Sequence, residues 1–435
     1  VADRWPNKSA DAGAPPAVEL LAPAGDREKL ETAIAYGADA VYLSSTQYSL
    51  RAQSRNFSPD ELADAVCYAH ARGVRVYIAL NILAHPSDLP GLSAQLRDLR
   101  SIRPDGLIIS DPGVLSLARE WAPEIALHIS TQASVTNARA ARFWASQGVR
   151  RIILARELTL AEIARIRAEV PTDMELEAFV HGSMCMAYSG RCLLSNFLNS
   201  RSANQGECAQ PCRFAYEIHE SGKPEPALQL EEDSRGAYLL NSRDLCMIEH
   251  IPELVAAGIS SLKIEGRTKS TFYVATAVKA YREALDRYRA DPDHYETDPV
   301  WLRDLGKTVH RPFDTGFYFS PPARNAQIFL EDTMIREAAV VGVIRAFLPE
   351  SHLALIEQRN KLCVGETVEI VQPTGRHLEL SVTALLDLER APIAAAPHPR
   401  MYFYLPVPWP VQPGSFLRRL GNKDQPRRQT APPGS

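Results

Sequence analysis

From residue 18 to about residue 265, short β-branched apolar runs alternate with longer stretches of amphipathic helical period. The apolar runs fall at 18–22, 40–43, 74–79, 106–109, 126–130, 151–154, 174–180 and 260–265. A β-strand needs only four to eight such residues, whereas a helix shows an apolar position every three or four. Helical patterns occupy 27–36, 59–72, 89–101, 138–147 and 160–169. Ser58 before Pro59 is a helix start, because the hydroxyl can cap and proline suits the first turn. Gly73 supplies the left-handed residue that ends that helix. The same stop-then-strand punctuation recurs at Gly37, Gly148 and Gly258. Eight strands, each followed by a helix or an insertion, predict a (β/α)8, TIM-like barrel. A doubly wound open sheet is the rival, and the first strand lacks the Gly-x-Gly-x-x-Gly turn that would favour it.

Beyond about residue 332 the helical period disappears. Short alternating segments at 338–347, 353–357, 367–371, 378–385 and 401–405 are separated by turns such as Pro373-Thr374-Gly375. This pattern predicts a small all-β domain of barrel type. The expected organisation is a disordered leader at 1–17, a barrel at 18–332 with a cysteine-rich insertion at 181–213, a β-barrel domain at 333–420 and a disordered tail at 421–435.

Composition narrows the function classes. The 435 residues carry 48 Lys plus Arg against 52 Asp plus Glu, a net charge of −4, which argues against a basic coat for bulk nucleic-acid binding but leaves room for a local patch. No run of about 18 apolar residues suggests a membrane span. The first sixteen residues hold no apolar signal core, so a cytoplasmic location is expected. Seven cysteines are too few for a secreted disulfide scaffold. Neither a His-Glu-x-x-His helix, a Gly-x-Ser-x-Gly elbow nor a phosphate loop occurs.

Cysteine placement carries more information than cysteine number. Cys185, Cys192, Cys208 and Cys212 fall within 28 residues, directly after the seventh strand, where a barrel presents its active-site loops. Four thiolates satisfy a tetrahedral zinc or an iron–sulfur cluster. Structural zinc normally takes cysteines in close pairs, and only Cys208 and Cys212 approach that, so the irregular gaps favour iron–sulfur. Unligated core thiols are the plain alternative. Cys246 competes for the place of fourth ligand, although a small apolar residue ahead of a helix explains it better. Gly182, Gly190 and Gly206 can take positive backbone angles and wrap the chain closely round a ligand. Arg191, Arg201 and Arg213 outnumber the lone Glu207 here, a balance suited to an anionic substrate or an RNA backbone.

The segment 261–267 reads Ser-Leu-Lys-Ile-Glu-Gly-Arg. Strand alternation places Lys263 and Glu265 on one face, turned into the barrel mouth if this is the last strand. Charges there are costly unless paired or functional. Lys263, Glu265 and Arg267 are therefore candidates for orienting a carboxylate substrate, with a structural ion pair as the alternative. By the same alternation Glu177 and His181 share an inward face near the cysteines, and His181 could shuttle protons or bond a cluster sulfur. A satisfied structural histidine is the alternative. Asn81, Asp111, Ser130, Gln132 and Arg156 are weaker polar candidates at strand ends.

The stretch His181-Gly182-Ser183-Met184-Cys185-Met186-Ala187-Tyr188-Ser189-Gly190-Arg191-Cys192-Leu193-Leu194-Ser195 resembles the collagenase-like, U-type peptidase family. Leu21-Ala22-Pro23-Ala24-Gly25, Ala38-Asp39-Ala40-Val41-Tyr42-Leu43 and the 261–267 segment support the likeness, which runs from about Leu20 to Leu417. The run Asn204-Gln205-Gly206-x-Cys208-x3-Cys212-Arg213 and the ending Tyr404-Leu405-Pro406-Val407-Pro408 are similar to a tRNA-modifying branch. That resemblance implies oxygen-independent hydroxylation of the tRNA wobble uridine to 5-hydroxyuridine. It also implies dependence on prephenate and on an iron–sulfur cluster, 4Fe–4S in type, held by Cys185, Cys192, Cys208 and Cys212. Related branches hydroxylate ribosomal-RNA cytidine or act in ubiquinone hydroxylation, and one ligates its cluster with a later cysteine. A peptidase, as the family name has it, and a zinc-stabilised RNA-binding module are the remaining readings.

Overall fold

A computed structural model describes residues 17–50, 55–185, 187–213, 243–320, 335 and 337–420. The expected leader and tail lie outside the described residues, apart from Ala17. The chain separates into two compact units. One runs to Leu305 and takes up His310–Ile335; the other joins Gly306–Val309 to the chain from Arg336 onward.

The first unit is a closed parallel barrel. Its strands are β1 (Glu19–Pro23), β2 (Ala40–Leu43), β3 (Arg75–Leu80), β4 (Gly106–Ile109), β5 (Ala126–Ile129), β6 (Arg151–Ile153) and β7 (Glu175–Ser183). A short β8 (Asp244–Cys246) precedes β9 (Ser261–Ile264), which pairs in parallel with both β7 and β1 and closes the ring. The eight members of the ring are therefore β1 to β7 and β9. Helices α1 (Arg27–Ala35), α2 (Pro59–His70), α3 (Leu89–Ile102), α4 (Pro112–Trp121), α5 (Ala138–Ser146) and α6 (Leu160–Glu169) connect successive strands. Their starts are specified locally: Ser58 with Glu61, and Thr159 with Glu162, each form reciprocal capping boxes. After β7 come α7 (Leu194–Asn199) and α8 (Ile251–Ala256), then α9 (Thr271–Ala290) and α10 (Pro299–Gly306) after the ring has closed. The strands are buried on both faces because helices cover one and barrel side chains fill the other.

The barrel interior is charged near the strand N-termini. Arg151 on β6, almost fully buried, donates to Glu19 of β1 at 2.5 Å and to Glu177 of β7 at 3.0 Å. Lys263 of β9 reaches Glu177 at 2.8 Å, while Ser261 and Tyr77 both donate to Glu19. Burial works to raise the Glu19 pKa, but Arg151 and Arg75 more than offset it and hold the carboxyl at about 2.

Two details depart from the sequence reading. Strand β7 runs on to Ser183, and β8 pairs antiparallel with its extension, His181 opposite Cys246 and Ser183 opposite Asp244. The β7–β9 register also shifts between Phe179 and His181, which interrupts the expected alternation. A two-residue strand β10 (Phe313–Asp314) adds to β8 in parallel.

The second unit holds β11 (Ala338–Leu348), β12 (Leu353–Gln358), β13 (Leu362–Cys363), β14 (Thr367–Val371), β15 (Leu378–Ser381), β16 (Leu385–Leu386), β17 (Pro392–Ile393), β18 (Ala395–Ala396), β19 (Tyr402–Pro406) and β20 (Phe416–Leu420). Eight of them form an antiparallel sheet in the order β15-β14-β20-β11-β12-β19-β16-β17, while β13 pairs with β18. The sheet bends round a core that includes Val341, Ile344, Ile356, Ile370, Phe403 and Leu417, a half-barrel of the predicted all-β kind.

Candidate active site

Beyond the charged layer, at the C-terminal ends of the strands, lies a cavity of about 480 Å³. Its floor is the barrel: Tyr42, Ala79, Ile108, Ile153, Phe179 and Lys263. Its rim comes from the loops beyond the strands, with Asn81, Ser130, Gln132, Arg156, Glu265 and Arg267. The far wall is the cysteine-rich segment, and Cys185, Cys192, Cys208 and Cys212 all line the cavity.

The loop reaches this position through specific anchors. The Glu157 carboxylate accepts from the Ser189 amide at 2.5 Å and hydroxyl at 2.6 Å. Arg191 donates through Nε to the Gln132 carbonyl at 2.6 Å. The Asn204 side chain accepts from the Cys192 amide at 3.2 Å, and its carbonyl accepts from Leu83 at 3.1 Å. Ser195, fully buried, accepts from the Ala209 amide at 3.0 Å. Gly182, Gly190 and Gly206 all have positive φ, as expected. At Gly182 an added Cβ would lie 2.7 Å from the Glu265 carbonyl oxygen, so only glycine lets β7 pass this close to β9.

Backbone amides are aimed at three of the four thiols. The Leu194 amide lies 3.3 Å from the Cys192 sulfur and the Gln210 amide 3.4 Å from that of Cys208. Cys185 accepts in the same way from Ala187. Burial raises the Cys185 pKa, while the amide and the Arg156 charge oppose the rise. Among the described residues, no group of three or more His, Cys, Asp or Glu side chains is arranged to hold a metal ion as they stand. The fit to a multi-thiolate cluster rests on donor chemistry. Four cysteines line one cavity, and three of their sulfurs each accept an amide hydrogen from the residue two positions on.

Cations line the same cavity. Arg156 donates to the Ser183 carbonyl at 2.9 Å and lies 3.8 Å over the Phe179 ring. The Lys263 ammonium lies 4.5 Å from the Tyr42 ring centroid. Burial lowers its pKa, and Glu177 opposes that only in part. Arg267 is 6% exposed and Glu265 half-buried, and both face the cavity. Of the sequence candidates, the structure brings the four cysteines, Lys263, Glu265 and Arg267 together. The weaker candidates Asn81, Ser130, Gln132 and Arg156 join them. Asp111 instead caps α4, accepting from the amides of Gly113 and Val114.

Glu177, His181 and Cys246 lie elsewhere. Glu177 is buried in the ion-pair layer beneath the cavity, bonded to Arg151 and Lys263. The β7 register shift sets His181 opposite Ile264 instead of a residue on the Lys263 face, so its ring turns away from the cysteines. It lies among Tyr273, Tyr281 and Phe313, with centroids 5.6–5.7 Å away. Burial holds its pKa at about 3. Cys246 is buried on β8 against the Tyr281 hydroxyl, with its thiol pushed up to about 12 by burial. The side chain of Arg213 lies outside the described residues. The residues that sequence reasoning missed are Glu157, which clamps the loop, and Tyr42 and Phe179, whose rings flank Lys263. A polar residue one position after Arg156 was the only available signal for the first.

His181 gives a pH-dependent outcome. It is neutral when folded and protonates only below about pH 3, whereas in the unfolded chain it protonates near its ordinary value of 6.5. Stability is therefore full above about pH 6.5 and declines as pH falls toward 3, by about 1.4 kcal/mol per unit from this group. Thermal unfolding of His181→Phe between pH 7 and pH 4 is expected to fall less steeply than that of the parent chain. Equal slopes would show that the ring is not buried neutral.

The fold and cavity define a (β/α)8 barrel protein carrying a four-thiol wall at the end of the barrel where such folds place their chemistry. The chain belongs to peptidase family U32: the family's model matches residues 25–328, and that of its C-terminal domain matches 336–418. It is 37% identical over 402 residues to tRNA hydroxylation protein P1 of Bacillus subtilis (strain 168), covering 92% of this chain and 94% of the relative. It is 35% identical over 431 residues to tRNA hydroxylation protein P of Escherichia coli (strain K12), covering 90% and 94%. It is 36% identical over 300 residues to an Escherichia coli 23S rRNA 5-hydroxycytidine synthase, covering 68% of this chain and 44% of the relative. Among the described residues, no helix is long and apolar enough to cross a membrane.

Proposed function

We propose that this protein is a cytoplasmic RNA hydroxylase that converts the wobble uridine of tRNA to 5-hydroxyuridine, using an iron–sulfur cluster of the 4Fe–4S type and prephenate as co-substrate. The observation that carries the reading is one cavity lined by four cysteines together with Arg156, Lys263 and Arg267. Relatives named for tRNA hydroxylation that align over nine-tenths of the chain support the choice of RNA. Cys185, Cys192, Cys208 and Cys212 would hold the cluster. Replacing C5–H of uracil by C5–OH is a two-electron oxidation, so the overall reaction needs an oxygen donor and an acceptor for two electrons, and a bound cluster would pass those electrons one at a time.

The chain's own residues bind and orient. Arg267 offers a planar fork to a carboxylate, and Arg156, fixed by Phe179 and the Ser183 carbonyl, offers a second. A dicarboxylate such as prephenate needs two such partners. Lys263, with its pKa lowered by burial, and Glu265 are the groups placed to hold or move a proton at the cavity wall. A peptidase reading draws less support, because among the described residues no histidine lines the cavity to serve its thiols as a base.

Nucleoside mass spectrometry of tRNA and rRNA from cells lacking the protein tests the assignment. Loss of 5-hydroxyuridine and its derivatives is expected. Loss of a hydroxycytidine instead would move the substrate to ribosomal RNA, and no change in either would overturn the reading. Arg267→Lys retains the charge and loses the fork. Its turnover is expected to fall at least roughly tenfold, the effect of about 1.4 kcal/mol, with cluster content and melting temperature nearly unchanged. Undiminished turnover, or loss of fold or cluster, would remove the clamp role.

A further inference from the structure

Four of the eleven large apolar side chains exposed among the described residues fall between positions 188 and 198. Phe197 is 80% exposed, Leu193 62%, Tyr188 54% and Leu198 51%. This is the segment that walls the cavity: Ser189, Cys192, Leu193 and Leu194 line it. The backbone beneath is held, because buried Ser195 takes the Ala209 amide, and α7 ends at Ser200 in a left-handed residue. Leu193 and Phe197 are four residues apart, joined by the Phe197 amide donating to the Leu193 carbonyl at 3.0 Å, so they share one side of α7. An apolar surface presented this fully on an anchored element, beside a site of chemistry, marks an interaction surface.

The surrounding chemistry selects the partner. From 187 to 207 the charged residues are Arg191, Arg201 and Glu207, a net positive balance in a chain that is negative as a whole. Exposed Asn196, Asn199 and Ser200 supply small hydrogen-bonding groups next to Phe197 along the chain. Aromatic faces, guanidinium groups and amides together suit unstacked nucleobases on a phosphate backbone. A base that enters a cavity must also leave the stack, which exposes the faces of its neighbours.

We infer that Phe197 and Tyr188 are a stacking platform for the unpaired nucleobases flanking the nucleotide that enters the cavity; this rests on the RNA reading above. The platform selects single-stranded loops over duplex, and ring faces, not apolar bulk, confer that selection.

Binding of an RNA stem–loop and of a fully paired duplex of the same composition, each measured with the full chain, tests this. The parent protein is expected to favour the stem–loop. Phe197→Leu keeps the bulk and removes the ring, and is expected to weaken stem–loop binding roughly 5- to 150-fold, the range for one stacked base, while duplex binding holds. Phe197→Trp retains the affinity, and Tyr188→Leu repeats the loss independently. Such exposed positions contribute little to folding, and matched melting curves check this. Parent-like stem–loop binding by Phe197→Leu overturns the platform, as does equal loss on both RNAs. A changed sedimentation coefficient with unaltered RNA binding makes the face a self-association surface and also overturns it. If the parent binds neither RNA, the RNA reading itself fails, an outcome separate from failure of the platform alone.

Discussion

Cys192→Ala, prepared without oxygen, is expected to lack the brown charge-transfer absorbance and most of its iron and sulfide, and to form no hydroxylated nucleoside. Each of Cys185, Cys208 and Cys212 should behave alike, since a four-thiolate cluster missing one ligand loses both charge balance and a covalent anchor. Cys246→Ala is the decisive control. Its thiol, pushed up to about 12 and bonded to Tyr281 under the β7 extension, does not line the cavity. Iron content should therefore be unchanged in Cys246→Ala. Iron lost from Cys246→Ala and kept in Cys212→Ala would exchange the fourth ligand. One zinc per chain and no iron in the anaerobic parent would leave an RNA-binding module in place of a redox enzyme.

Arg151→Met is expected to cost stability as heavily as the cysteine changes cost chemistry. The guanidinium bridges Glu19, Glu175 and Glu177 inside the barrel, and its loss leaves buried carboxylates short of a counter-charge. Breaking a buried network of this kind costs about 3–5 kcal/mol, read as a lower denaturation midpoint at unchanged slope. Glu19→Gln in the Arg151→Met background should cost much less than in the parent, because the two act as one unit. The sign with pH follows from the Glu19 carboxyl at about 2, below its usual 4.5. Its contribution is present above about pH 4.5 and is lost as pH falls toward 2, so the gap between parent and Arg151→Met should narrow in acid. A constant gap, or additive costs in the cycle, would show that the network is not coupled.

The ring of eight strands was legible because each strand is a short apolar run bounded by its own stop signals. Gly73 and Gly148, for example, end helices with positive φ as their positions suggested. The thiol wall and the Lys263–Glu265–Arg267 segment were legible because clustered cysteines and alternating charges leave marks in spacing alone. His181 was misplaced for a physical reason: period-two alternation holds only while register holds, and one irregularity beyond Phe179 reversed the face. Glu177 was on the expected strand, but alternation cannot tell a layer near the strand N-termini from one at the mouth. Strand β20 escaped because Arg418 and Arg419 interrupt its apolar run; Arg418 is fully buried, with its Nε 2.8 Å from Glu369. Ion pairs formed across long sequence separations leave no local trace.

The antiparallel pairing of Ser183 with Asp244 clasps the two ends of the excursion together at a neck. Beyond the neck the excursion is tied to other barrel loops at Glu157, Gln132 and Leu83. The ring closes through β7 and β9 without the excursion, so the length of the excursion, its cysteine spacing and the outline of its rim need not disturb a cavity floor built on β1 to β7 and β9. A clasp of this kind separates inheritance of the scaffold from choice of target. It lets one barrel be refitted to a different nucleotide, or to a substrate that is not a nucleotide at all, by redrawing the loop alone.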